Sequence, residues 1–187
     1  MIWTAVVPIK PFEEAKTRLS CDLTAGARAA LAKDMFRHVT SVLDAHPLVG
    51  RLVIVSQSKI PGCPGEWFRD ARLGLNAALE AARRALGQPL AIFHADLPLL
   101  CDDDVTQLLA TAADTGLAIA PDRHRRGTNA LALGTDFPFH FRFGTDSYAR
   151  HLEQAQRAPG IVQTIGLGHD CDTIEDLANS KKLATLF

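Results

Sequence analysis

The chain has 187 residues, 47% of them hydrophobic and 22% charged, with a formal net charge of −1. Such a length suits one domain that buries roughly 70% of its unfolded surface, and the balance leaves no bulk charge to hold nucleic acid or an anionic membrane. No apolar run approaches the ~20 residues that span a bilayer, and residues 1–7 lack the basic region and cleavage site of a secretory signal, so a cytoplasmic protein is expected.

Four cysteines, Cys21, Cys63, Cys101 and Cys171, lie far apart without a Cys-x-x-Cys pair. That spacing argues against a zinc site and a disulfide framework, and leaves free thiols, some of them in the core.

Residues 3–9 read as a buried strand, followed by a loop carrying Lys10, Lys16 and Arg18. A cationic loop after the first strand of an α/β sheet is a natural anion site. Arg18, flanked by Leu19, is expected to point inward, where its fork can hold a phosphate. Residues 24–46 are helical, with Thr24 as N-cap and Leu31, Met35, Val39, Val42 and Leu43 on one stripe. His38 and His46 on that helix are read as surface residues. Residues 51–56 form a second strand, and a non-periodic Pro/Gly loop follows over 59–65.

Residues 70–76 lead into an alanine-rich helix that ends at Gly87. Gly74 either relieves crowding or lets backbone approach a flat base, with Asn76 offering a paired donor and acceptor. Residues 90–93 are a continuous apolar run, short enough for a strand covered on both faces. Asp96 follows at its carboxyl end, and Pro98 prevents continuation in a central position. Asp96 is therefore either a site acid beyond a strand end or a turn cap before the helix near Asp102. Asp102, Asp103 and Asp104 suit capping and the macrodipole of that helix, whose Val105, Leu108 and Leu109 face inward.

Residues 117–121 are a strand, and 130–133 another, around a basic turn in which Arg123 and Arg125 are expected to be solvated. Gly127-Thr128-Asn129 can hold an acidic substrate. Residues 137–143 are aromatic and non-periodic, and Gly144 to Ser147 open a helix expected to reach about Arg157. Ser147 serves there as a cap or as part of an anion nest. Residues 161–166 are expected to be the last strand, delivering Asp170 and Asp172 before a short helix. Two acids two residues apart on extended chain point the same way and can share a cation with a distant acid.

Hard oxygen ligands with basic residues and anion nests suit Mg²⁺ and phosphoryl or nucleotidyl transfer. Neither a P-loop nor a Gly-x-Gly-x-x-Gly motif is present. In order along the chain stand Val7-Pro-Ile-Lys10, Ala15-Lys16-Thr-Arg18-Leu19, Gly74-Leu-Asn76, Ala95-Asp96-Leu-Pro98, Gly127-Thr-Asn129, Phe143-Gly144-x-x-Ser147 with His151, and Asp170-x-Asp172-Thr-x-x-Asp176-Leu177. Together they resemble the 2-phospho-L-lactate guanylyltransferase family, including its phosphoenolpyruvate and 3-phosphoglycerate variants.

The resemblance implies one nucleotidyltransferase domain over 1–187, a GT-A-like α/β fold with a mixed, mostly parallel sheet flanked by helices. It implies a reaction joining GTP to a small phosphorylated acid with release of pyrophosphate, on the route to a deazaflavin coenzyme. Asp96, Asp170 and Asp172 would hold Mg²⁺; Lys10, Lys16 and Arg18 would meet the triphosphate; Gly74 and Asn76 would lie near the base. Thr128, Gly144 and Ser147 would bind the acceptor. Among these, Asp96, Lys16 and Arg18 carry the catalytic expectation. A homodimer and a hand-over of product to the next enzyme are also implied.

Thr145-Asp146 stand where relatives tend to have Pro-Gly, and an acid there opposes an anionic acceptor unless it points away or pairs with an arginine such as Arg126. Two rival readings stay open: a sugar- or molybdopterin-type nucleotidyltransferase of the same fold, whose Gly-rich first loop is absent here, and a catalytically silent nucleotide-binding protein.

Overall fold

Seven strands share one sheet in the order β3-β2-β1-β4-β6-β5-β7 in a computed structural model of the chain. It describes residues 1–134, 136, 138–155 and 157–184, the last four by backbone alone. The strands are β1 (Trp3–Pro8), β2 (Val49–Ser56), β3 (Glu66–Arg69), β4 (Leu90–Phe93), β5 (Leu117–Pro121), β6 (Thr128–Leu133) and β7 (Gly160–Ile161). The helices are α1 (Ala25–Ala45), α2 (Leu75–Leu86), α3 (Asp102–Thr115), α4 (Ser147–Leu152), α5 (Ile165–Gly168) and α6 (Ile174–Ala184).

All strands run parallel except β6, which is antiparallel to both β4 and β5. The expected mixed, mostly parallel sheet between helices is what the chain forms. Because β6 alone is reversed, its first residues lie at the sheet edge where the other strands end.

Both faces of the sheet are covered, so successive strand residues alternate between two cores. Ala5, Val7, Leu52, Ile54, Ala91 and Phe93 meet Phe36, Val39 and Leu43 of α1 and Val105, Leu108 and Leu109 of α3. On β5 and β6 this face is built from alanines, Ala118, Ala120, Ala130 and Ala132, which lets α3 settle close to the backbone. Val6, Val53, Val55, Leu90, Ile92, Ile119 and Leu131 form the opposite face with Leu79 of α2 and the aromatic segment Phe139, Phe141 and Phe143. Phe137, grouped with that segment from sequence, lies outside the described residues.

The stripe on α1, the Thr24 cap (Oγ1 accepting from the Ala27 N–H at 3.2 Å) and the Asp104 capping interaction form as expected. Four expectations are corrected. Strand β3 was not anticipated: it is a mostly exposed edge strand next to a Pro/Gly loop, so it lacks an apolar run. The strand expected over 161–166 ends at Ile161, because the Thr164 hydroxyl accepts from the Leu167 N–H (3.2 Å) and caps a helical turn. Helix α4 stops at Leu152 rather than near Arg157. Just beyond it the Gln154 amide clamps His140 backbone, accepting from its N–H (2.7 Å) and donating to its carbonyl (2.8 Å). Finally, His46 is buried at 2% exposure and bonds the Thr106 hydroxyl at 3.0 Å.

The cysteines are free thiols, and Cys171 lies in the core, where burial pushes its thiol up to about 11. Among the described residues no helix is long and apolar enough to cross a membrane.

Candidate active site

Strand β4 hands its last hydrogen bond to His94, whose N–H donates to the Asn129 carbonyl at 2.9 Å. Asp96 therefore emerges beyond the carboxyl ends of β1 and β4, where ligands bind in open α/β sheets. The first loop reaches it from the β1 side. Its two 3₁₀ turns, Phe12–Glu14 and Thr17–Leu19, are joined at Lys16, which adopts a left-handed conformation at φ 54°. Three residues per 3₁₀ turn put Lys16 and the fully buried Leu19 on one side. The Lys16 side chain is 6% exposed, and its Nζ donates to Asp96 Oδ2 at 2.6 Å and to Asp172 Oδ1 at 3.1 Å.

Arg18 takes the other side of that turn. It is 75% exposed, correcting the expectation that it points inward, and it reaches Asp172 Oδ2 from the rim at 2.7 Å. The loop bearing Asp172 is tied to the same strand end, because the Cys171 N–H donates to the Asp96 carbonyl at 3.2 Å.

Electrostatically the cluster is short of positive charge. Burial pushes the Asp96 carboxyl up, but the Lys16 ammonium and His94 outweigh it, and the group sits below the ordinary carboxylate range. Burial likewise opposes the Lys16 charge, yet Asp96 and Asp172 together hold the ammonium above its usual value. Asp170 moves the opposite way: burial, then the charges of Asp96 and Asp172, raise it against a hydrogen bond from Asn129 at 3.3 Å. One buried ammonium thus serves Asp96 and Asp172, with Arg18 reaching Asp172 from the rim, and Asp96 Oδ1 is buried without a partner.

That orphaned oxygen and the crowded carboxylates fit a hard divalent cation. Among the described residues no three His, Cys, Asp or Glu side chains converge tightly enough to cage an ion. An ion bound here would therefore rest on one or two carboxylates and on oxygens of ligand or water.

A cleft of about 440 Å³ opens over this edge, lined by Lys10, Lys16, His94, Asp96 and Asp172 with Asp70 and apolar walls. Gly74 and Asn76 border it at the start of α2 without lining it. Gly74 has φ 93°, a conformation L side chains rarely adopt, although a Cβ there would meet nothing within 4 Å. Asn76 accepts from the Phe143 N–H (2.8 Å) and donates to the Phe143 carbonyl (3.1 Å), pinning the aromatic loop. Thr128, Gly144 and Ser147 gather in a second group around α4. Thr128 and Ser147 are buried, and exposed Gly144 has φ 115°. Asp146 pairs with Arg126 (3.6 Å), one of the two arrangements expected for it.

Residues 3–179 match the family described as Guanylyl transferase CofC like. The chain belongs to this family. It is 35% identical over 196 residues to the phosphoenolpyruvate guanylyltransferase of Sphaerobacter thermophilus, covering 95% of this chain and 91% of that one. It is 38% identical over 189 residues to the phosphoenolpyruvate guanylyltransferase of Rubrobacter xylanophilus, covering 93% and 91%. A solved structure from Desulfovibrio desulfuricans G20, assigned to the nucleotide-diphospho-sugar transferases, superposes with a TM-score of 0.74 at 20% identity, covering 95% of this chain and 85% of that one. The chain is thus an enzyme of the guanylyltransferase family on a nucleotidyltransferase fold.

Sequence reasoning gave no role to several residues in and around this cleft. His94 lines the cleft with a buried, unpartnered Nε2 and packs against Phe143, the two rings tilted by 42° with centroids 5.1 Å apart. Its signal was its place, directly after the last residue of β4 and two positions before Asp96. Asp176 is buried, accepts from the Asp172 (3.0 Å) and Thr173 (2.7 Å) N–H groups, and pairs with Arg123. Arg123 is therefore not the solvated residue expected. Arg125 is exposed as expected, while it bonds the Tyr148 hydroxyl (2.9 Å) and lies over its ring.

His151 links the two halves. It is fully buried, its ring centroid is 4.9 Å from that of Phe143, and its Nε2 accepts from the Arg142 N–H at 2.9 Å. The proton must then sit on Nδ1, which donates to Thr128 Oγ1 at 3.0 Å. Burial, aided by His94, pushes this imidazole down to about 4. A histidine depressed in the folded state supports stability above its unfolded value near 6.5 and loses that support as pH falls. Urea unfolding is expected to lose about 3 kcal/mol of stability between pH 6.5 and 4, and His151→Gln to remove most of that slope. An unchanged slope in the variant would contradict the assignment.

Proposed function

We propose that the chain joins GTP to the phosphate of a small phosphorylated carboxylic acid and releases pyrophosphate, with Mg²⁺, in the making of a deazaflavin coenzyme. Phosphoenolpyruvate is the first-choice acceptor, ahead of 2-phospho-L-lactate and 3-phosphoglycerate, on the strength of the relatives above. The observation that carries the reaction type is the buried Lys16 ammonium held between Asp96 and Asp172 at the mouth of the cleft, beside an Asp96 oxygen with no partner of its own.

In this reading Lys10, Lys16 and Arg18 receive the triphosphate, Lys16 from inside and the other two from the rim. Gly74 and Asn76 border the base side, Asn76 by holding Phe143 in place. Thr128, Gly144 and Ser147 orient the acceptor's carboxylate and phosphate. An acceptor phosphate oxygen attacks the α-phosphorus in line; the new O–Pα bond forms as the bond to the β-phosphate oxygen breaks, and pyrophosphate carries the electron pair away. Catalysis then consists of positioning and charge neutralisation, with no protein nucleophile. One or two of Asp96, Asp170 and Asp172, with oxygens of ligand or water, would hold Mg²⁺, which when bound supplies neutralisation of the phosphate charge.

Pyrophosphate release tests this, with each of four nucleotides against the three acceptors and with a downstream enzyme present to consume the product. Release with GTP and one acceptor is expected. A folded protein that releases none with any pair would overturn the reading.

A further inference from the structure

Asp70 is a third carboxylate in the cleft wall, and no role above uses it. It follows β3 directly, and its N–H donates to the Ser56 carbonyl at 2.9 Å, extending the sheet by one residue. Its Oδ1 accepts from the Arg72 N–H at 2.7 Å, which fixes the side chain. Among the described residues it has no salt-bridge partner, whereas Asp96 and Asp172 share Lys16. Its neighbours in the wall include Val55, Leu75 and Ala78, an apolar setting suited to a flat ring.

The strand order sets the span. From the end of β4 to the end of β3 is three strand spacings, roughly 14 Å at about 4.8 Å each. That is the reach of a nucleoside triphosphate stretched between its phosphates and its base. Phosphates at Lys16 therefore carry the base toward Asp70.

We propose that Asp70 reads the base, accepting the N1–H and N2–H groups of guanine with its carboxylate. Resting on the guanylyl-transfer reading, this names the group that selects the nucleotide. The chemistry is selective because a carboxylate only accepts. Guanine presents two adjacent donors on that edge; adenine and cytosine each place a ring-nitrogen acceptor there and are repelled. Each carboxylate oxygen has two lone-pair sites, so the Arg72 contact leaves capacity for both.

Calorimetric binding of GTP, ITP, XTP and ATP, with Mg²⁺ and without acceptor, tests this on wild type, Asp70→Asn and Asp70→Ala. Wild type should bind GTP about 10- to 100-fold tighter than ITP, which lacks the N2 amine. Asp70→Asn should weaken GTP by a similar factor and gain XTP, since an amide N–H can donate to the xanthine O2. Asp70→Ala should bind GTP and ITP alike.

Unchanged GTP, ITP and XTP ratios in a folded Asp70→Asn would overturn the proposal while leaving guanylyl transfer intact. Equal binding of GTP and ITP by wild type would overturn it without any variant. No nucleotide binding by wild type would sink both readings together.

Discussion

Asp96→Asn is expected to lower turnover by about 10²- to 10³-fold or more, the scale for removing one preorganised electrostatic contact at a transferring group. The substitution keeps the shape of the side chain and its contact with Lys16 but removes its charge. Lys16 still has Asp172 at 3.1 Å, so no buried charge is stranded, and the fold should melt close to wild type. Pyrophosphate release and thermal unfolding, measured on one preparation, check both halves. Near-normal turnover in a folded Asp96→Asn protein would remove Asp96 from the machinery.

Lys16→Met is expected to have the larger effect on stability. Methionine fills the volume of the lysine stem but leaves Asp96 and Asp172 facing each other, with Asp170 close behind. Removing one partner of a buried pair costs about 3–5 kcal/mol, and the partial exposure of Asp172 places this case near 3. The pH dependence should also shift relative to wild type. In wild type the Asp96 carboxyl is depressed, so its support is present above its unfolded value and is lost as pH falls below it. Without Lys16, burial is opposed by His94 without the ammonium and the group rises, so part of the deficit of Lys16→Met should be recovered on acidification, while the loss from His151 is common to both proteins. Denaturant melts of both proteins from pH 7 to 4 read this as a stability gap that narrows as pH falls. A gap that stays constant or widens would show that Lys16 is not what offsets these acids.

How much of this was legible depended on whether the cause was local. Asp96 could be placed because an apolar run and a proline on either side fix where a strand stops. The two-faced core followed from alternation in strands such as residues 90–93. The Lys16–Asp96 pair was not readable: the partners are 80 residues apart, and local flanking favoured Arg18 instead. Only the 3₁₀ turn decides which cation goes in. Strand β3 was hidden because an edge strand need not be apolar. Helix α4 and β7 were drawn too long because the side chains that stop them, Gln154 and Thr164, act through hydrogen bonds to backbone. Arg123 was misjudged because its partner, Asp176, lies 53 residues away.

The reversal of β6 has a consequence for how the two ends of a reaction are kept in register. Phe93 pairs with Ala130 across the β4–β6 ladder, and His94 then bonds Asn129. The segment bearing Asp96 and the segment bearing Thr128 are thus consecutive rungs of one hydrogen-bonded ruler. Surface turns such as 123–126 or 144–146 can lengthen, shorten or change charge without rescaling that ruler. The separation between those two segments is in this way set by the pitch of a β-ladder and not by the turns around them.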